Sequence, residues 1–177
     1  VHSFCFGTDD IGRWLIVGGR VDGLHQRQPF AAFLEEDNNM MIYAVDVVND
    51  VVISSSLSVL EAPLFEQLQA TNAQFYQQEG ILYVTGGYGY SASANDHITY
   101  PYLTAIDVNG VVEAIINNES ITPFFRQLYS ADMAVTGGQM GYLDGTFYLM
   151  GGQYFEGRYN PMGPDFGPGF VQEYTEE

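Results

Sequence analysis

Lysine is absent from the 177 residues, and five arginines face 22 aspartates and glutamates, giving a formal net charge of −17. A surface of that sign repels nucleic acid and anionic membranes, so neither is expected as a partner. Net charge speaks to solubility and association rather than fold, so the acidity is read first as a solubility feature and second as a means of attracting cations. Cysteine is almost absent too. Cys5 stands alone, which excludes an intrachain disulfide and leaves it the expected role of a buried strand residue. No apolar run reaches the roughly 18 residues of a membrane-spanning helix. The chain opens at Val1 without a charged leader and apolar stretch, so a targeting segment is expected to have been removed or to lie upstream. His2, His25 and His97 have no spacing typical of a metal site, and no metal or cofactor is expected.

What the chain does have is a composition for strands and turns. Hydrophobic residues make up 46% of it, with 13 Tyr, 12 Phe, 20 Gly and 7 Pro. Aromatics favour half-buried pleated surfaces, and glycine and proline punctuate turns. The expectation is an all-β protein forming one domain over residues 1–177.

Self-similarity supports this. Three short apolar strands run into glycine pairs: Trp14 to Val17 before Gly18-Gly19, Leu82 to Thr85 before Gly86-Gly87, and Phe147 to Met150 before Gly151-Gly152. The first glycines of successive pairs lie 68 and 65 positions apart. Each strand is preceded by another, expected at 2–7, 72–77 and 132–136, which makes a hairpin. A third strand follows a long polar loop, with Ile42 to Val47 matching Leu103 to Val108 and, more weakly, residues 170–175. A fourth is expected at Val51 to Ser54 and, after the Asn109-Gly110 turn, at Val111 to Ala114. Connectors align as well, Pro63-Leu64-Phe65-Glu66-Gln67-Leu68 against Pro123-Phe124-Phe125-Arg126-Gln127-Leu128. The approximate repeats are 1–70, 71–131 and 132–177.

Tandem four-strand units with a strand ending in Gly-Gly resemble the blades of a kelch-type β-propeller. The segments 14–25, 86–108 and 151–164 look more narrowly like secreted bacterial kelch-repeat proteins. The resemblance implies about three four-stranded antiparallel blades, the last incomplete, and an extracellular or cell-surface setting, with the periplasm as an alternative. Propellers carry typically 4–8 blades, so further copies or a longer chain would complete the ring. Galactose-oxidase-like copper enzymes share this fold, but the chain has Cys5 within a strand and no Tyr-His pair. Gly87-Tyr88-Gly89-Tyr90 imitates a dinucleotide fingerprint without the helical period that should follow it.

Strand alternation sends the loops after second and fourth strands to one face. That face is expected to receive 20–39, 88–101 and 153–168 together with the connectors, and with them Arg20, Arg27, Arg126 and Arg158. His25, His97, Tyr100 and Tyr159 join them as candidate ligand-binding residues. Arginine offers a planar fork for carboxylates, so one reading is an anion pocket, with Arg20 and Arg126 its nearest members. The other reading has the arginines binding loop carbonyls or the carboxylates Asp22, Glu66, Asp96 and Glu156. His97, beside Asp96, is either a general base or ligand, or a hydrogen-bonding strut. Gly18, Gly19, Gly86, Gly87, Gly151 and Gly152 are expected to be structural. Functionally the leading expectation is a noncatalytic binding module for a glycan or protein. An epimerase-like enzyme acting on an anionic sugar and an assembly subunit stand as alternatives.

Overall fold

The computed structural model describes residues 1–23, 28, 30–162 and 171–174. The first unit is laid down by turn chemistry. Strand β1 (Cys5–Thr8) reverses into β2 (Trp14–Val17) around Asp9, whose carboxylate accepts hydrogen bonds from the backbone N–H groups of Ile11 and Arg13. β3 (Met41–Asp46) follows the long loop, and Asp46 accepts from the N–H groups of Val48 and Asn49 to start the turn into β4 (Val51–Ser56). The four strands form one antiparallel sheet in chain order. Alternation sets its faces: Leu15, Val17, Ile42 and Ala44 are buried, whereas Trp14 and Val52 are exposed.

The second unit begins the same way. β5 (Gln74–Gln78) and β6 (Ile81–Thr85) are joined by Glu79-Gly80, both at positive φ, the geometry a two-residue hairpin needs. After β6 the chain runs out through β7 (Tyr88–Ser91) and β8 (Asp96–Thr99) before returning as β9 (Tyr102–Asp107), which pairs with β6.

Here the expectation fails: the expected fourth strand, Val111 to Ala114, is helical. A short helix α1 (Ala62–Leu68) precedes β5, and the ten-residue α2 (Val108–Asn117) follows β9. Asp107 caps α2 by accepting from the N–H of Gly110, as N-cap residues do. Val108, Val111, Val112 and Ile115 follow the i, i+3, i+4, i+7 spacing and are all buried, with α2 packed on the first sheet. Gly110 is not a turn glycine. A Cβ there would lie 2.2 Å from the ring of Phe124, so the small residue lets that ring approach the helix.

With residues 108–117 in a helix, the fourth place in the second sheet passes to β10 (Phe125–Tyr129), giving the order β10-β9-β6-β5. The aligned connectors therefore fold differently, 63–68 within α1 and 125–128 within β10.

In the third unit the first strand is not at 132–136. Residues Ala131–Met133 make a 3-10 turn, and β11 (Gln139–Leu143) pairs with β12 (Thr146–Met150) around Asp144-Gly145, again both at positive φ. β13 (Gln153–Glu156) and β14 (Val171–Tyr174) do not extend this hairpin. They join β7 and β8 in a sheet of order β14-β13-β8-β7, linked by Glu156↔Ile98. The expected long loops thus contain strands that pair across units.

The same contacts join one unit to the next. The N–H of Gly19 donates to Ala70 O at 2.8 Å, and that of Gly87 to Val135 O at 3.0 Å. The N–H of Asn72 donates to Ser3 O, and that of Gly137 to Asn72 O. The glycine pairs explain these contacts: Gly18, Gly19, Gly86, Gly87, Gly151 and Gly152 all have positive φ, and a Cβ on Gly86 would lie 1.8 Å from Val135 O. Gln67 adds a polar staple, donating to Tyr102 O and accepting from Thr104 and Gln127. The protein is β-rich, with several four-stranded antiparallel sheets that do not close into a barrel among the described residues. Among these residues no helix is long and apolar enough to cross a membrane.

Candidate functional site

Each unit brings the residue after its glycine pair against the stretch that enters the unit. The resulting antiparallel bridges are His2↔Arg20, Thr71↔Tyr88 and Thr136↔Gln153. Two adjoining cavities open there. One, of about 600 Å³, is lined by His2, Ser3, Arg20, Phe33, Thr71 and Asn72 among others. The other, of about 190 Å³, is lined by Phe33, Asn72, Tyr88, Thr136, Phe155 and Tyr159. Phe33 and Asn72 belong to both walls.

Arg20 is fully buried, and its fork is occupied from within the first long loop. It donates to Asp22 through Nε and Nη2, to Asn38 Oδ1 through Nη1 and to Leu34 O through Nη2. Asp37 lies 3.5 Å from Nη2. Burial works against ionisation of Asp22, but hydrogen bonds from Arg20 and His2 and the guanidinium charge outweigh it and hold the carboxyl below the usual range. Arg20 is thus a loop lock with its charge matched.

Arg158 acts on the same loop from the third unit, donating to Ala32 O at 2.9 Å and to Phe30 O at 3.1 Å. His97 acts on it from the second, its Nε2 lying 2.8 Å from Phe33 O. That contact makes Nε2 the protonated donor, because a carbonyl can only accept. Burial is the largest influence on the imidazole and holds its pKa below the ordinary histidine value, which favours the neutral ring. Tyr100 is buried and donates to Tyr90 O, and desolvation pushes its phenol pKa up. The Tyr159 N–H donates to the Tyr88 hydroxyl, which in turn donates to Gly157 O.

Arg20, His97, Arg158 and Tyr159 therefore meet around residues 30–38, whereas Tyr100 is buried just after β8 and bonded to Tyr90 in β7. Arg126 does not join them. It sits exposed on the edge strand β10, donating to Pro123 O and Phe125 O. The expected gathering of arginines on one rim is corrected accordingly, because β10 has taken the outer strand position of the second sheet. His25 and Arg27 lie outside the described residues. The fifth arginine, Arg13, is paired with Asp9 and Glu113.

Phe33, Thr71, Asn72, Thr136 and Phe155 line the cavities without having stood out in the sequence. A signal was present for two of them, since Thr71 and Thr136 are 65 positions apart, the same interval as Gly86 and Gly151. Phe33 carried none, because its role depends on where three distant side chains hold its loop. Gly87 leads into strand β7 rather than a helix, so the dinucleotide resemblance is without structural basis. Among the described residues no group of three or more His, Cys, Asp or Glu is placed to hold a metal. No protein-family model matches the chain, and no curated protein is similar to it in sequence.

Proposed function

We propose that the chain is a noncatalytic binding module built on kelch-type propeller units, with the adjoining cavities at the converging unit entries as its ligand site. The observation that carries this reading is a cavity of about 600 Å³ bounded by residues from the first two units and braced by a third. That volume falls within the roughly 300–1,000 Å³ of ordinary ligand sites. Its walls combine the Phe33 ring with His2, Ser3, Thr71, Asn72 and an Arg20 whose charge is matched by Asp22, an apolar surface with a few polar groups as ligand sites have. The ligand class is a glycan or a protein segment. The setting is extracellular or cell-surface, as the resemblance to secreted kelch-repeat proteins implies.

The observations favour this reading over the enzyme alternative. An anionic-sugar site built on Arg20, Arg126 and His97 needs those groups together and available, yet Arg20 and His97 are engaged with the first loop and Arg126 stands apart. Probing immobilised glycan and peptide libraries with the soluble chain, beside an Asn72→Ala variant, tests the binding reading. Selective binding weakened at least fivefold by the variant is expected. Absence of any selective binding, or binding indifferent to Asn72, would defeat it.

A second reading, an assembly subunit, has its own support. Among the described residues β12 pairs only with β11, and Leu143, Tyr148 and Met150 on that hairpin are exposed. An unpaired strand edge with apolar neighbours invites a further strand. Light scattering decides it, since a monomer at high protein concentration would dismiss this role.

A further inference from the structure

We propose that the free edge of β12 takes up one extended, neutral or basic strand from a partner protein, which completes the third sheet and fills an apolar cavity beside it. The proposal rests on the open edge noted for the assembly reading, with a foreign strand in place of a second copy, and not on the cavities at the unit entries. β-Strand addition of this kind draws affinity from main-chain hydrogen bonds and selectivity from alternate side chains.

In the first two units the strand that ends in the glycine pair has a neighbour on each side. β2 lies between β1 and β3, and β6 between β5 and β9. The register is the same in both: the residue three before the first glycine, Leu15 or Tyr83, is paired with an alanine, Ala44 or Ala105. Each alanine stands two residues before an aspartate, Asp46 or Asp107. The equivalent residue of β12 is Tyr148, and among the described residues β12 pairs only with β11. Residues 171–174 pair with β13 instead. Four of the five β12 residues are exposed, whereas none of the five in β6 is. A strand edge without charge or proline is a template for pairing, and β11 and β12 contain neither.

The vacancy has depth. A cavity of about 160 Å³ adjoins β12, walled by Phe147 and Leu149 and by Thr85 and Leu103 of the second sheet among others. Roughly 150 Å³ of apolar space holds a benzene-sized group. In the second sheet the counterparts of Phe147 and Leu149 are Leu82 and Val84, and the places opposite them are taken by Ile106 and Thr104, both fully buried. A strand on β12 therefore sends the residues on either side of its central position into the cavity. A second copy does not fit there. Antiparallel pairing of two β12 edges is two-fold symmetric and keeps the same face of both hairpins on one side of the joint sheet. β11 packs on β5 and Phe147 on Tyr83 of β6, so a copy's β6 would need the space where β9 lies beneath the vacancy. A single strand has no such conflict. The chain at −17 repels an acidic segment, and the Asp144 turn stands at the end of β12 where the neighbouring strands of the first two units carry Asp46 and Asp107. A lysine or arginine at that place in the partner meets attraction instead.

Peptide titration followed by hydrogen exchange tests the proposal. The probe is an end-capped peptide of the Tyr102–Asp107 sequence with lysine in place of the aspartate. Its controls are the scrambled sequence and the same peptide with glycine at the two cavity-facing positions, those of Thr104 and Ile106.

The probe is expected to saturate the wild-type chain at one peptide per chain and to slow amide exchange over residues 146–150. Both controls should bind at least tenfold more weakly. In the protein, Leu103→Trp fills the cavity from the second sheet and should weaken the probe at least fivefold, while Asn72→Ala leaves it unchanged. The peptide comparisons use the wild-type chain, so they decide the matter even where Leu103→Trp does not fold. No saturation, equal binding of all three peptides, or exchange slowed only outside 146–150 overturns the proposal. Slowed exchange over 146–150 that arises with protein concentration alone, together with a dimer in light scattering, gives the edge to a second copy and overturns it as well. Probe binding lost in Asn72→Ala moves the peptide to the unit entries, which overturns the edge site and leaves the binding module standing.

Discussion

Gly86 and Gly151 occupy the same repeat position with nearly the same backbone, φ +65° and +62°, but among the described residues only Gly86 is packed against the next unit. Alanine at either position places a side chain in the left-handed region, which costs about 1–2 kcal/mol. At Gly151 nothing among the described residues lies within 4 Å of the new Cβ, so the backbone term is the whole effect. At Gly86 the Cβ would sit 1.8 Å from Val135 O, and the units must separate there. Overpacking of this kind adds roughly 1–3 kcal/mol, and losing the adjacent bond from the Gly87 N–H to Val135 O adds about 1 kcal/mol more. Gly86→Ala should therefore be less stable than Gly151→Ala by roughly 2–4 kcal/mol, or roughly 4–16 °C in thermal midpoint for a chain of this size. Gly18→Ala, whose Cβ would lie 2.9 Å from Ala70 O, should fall between them. Urea unfolding followed by far-ultraviolet circular dichroism reads all three. Equal losses at Gly86 and Gly151 would refute the idea that glycine is required there by the next unit.

Three further outcomes follow from particular residues. Asp107→Ala removes the cap of α2 and should lower stability by about 1 kcal/mol in urea titration, while Asp107→Asn, which can still cap, should lose less. Burial opposes ionisation of Asp9, but hydrogen bonds from Arg13 and from the Arg13 and Ile11 backbone hold its carboxyl below the normal value of about 3.9. A depressed carboxyl stabilises above the unfolded pKa and loses that contribution as pH falls through the folded one. Asp9→Asn should accordingly flatten the stability profile below about pH 4, and an unchanged acid limb would rule Asp9 out as its source. Burial pushes the Cys5 thiol up to about 12, so at pH 8 it should resist a thiol-reactive dye in the native protein and react fully in denaturant. Rapid labelling without denaturant would contradict its buried position.

Much of the architecture was legible in the residues. The strands leading into glycine pairs, and the hairpins before them and the third strands of the first two units, stand close to where alternation and turn residues put them. Those signals are local, and they act over a few bonds. The function was far less legible, because Phe33, Thr71 and Asn72 acquire their roles only from what surrounds them.

The sequence by itself determined that the chain would be β-rich, acidic and without an intrachain disulfide, with the same glycine-ended strand written three times. Tertiary structure decided the rest. A short apolar run such as Val51-Val52-Ile53 or Val111-Val112 satisfies a strand or a helix equally. The first completes a sheet; the second is helical because that face is buried against the neighbouring sheet and Phe124 packs on Gly110. Likewise 63–68 and 123–128 look alike, yet 125–128 of the second lie in β10, which takes the sheet edge that α2 leaves vacant. The β7-β8-β13-β14 sheet and the clamp on Phe33 join residues more than fifty positions apart. No pattern along the chain encodes such pairings, because burial and hydrogen-bond satisfaction are properties of the assembled surface.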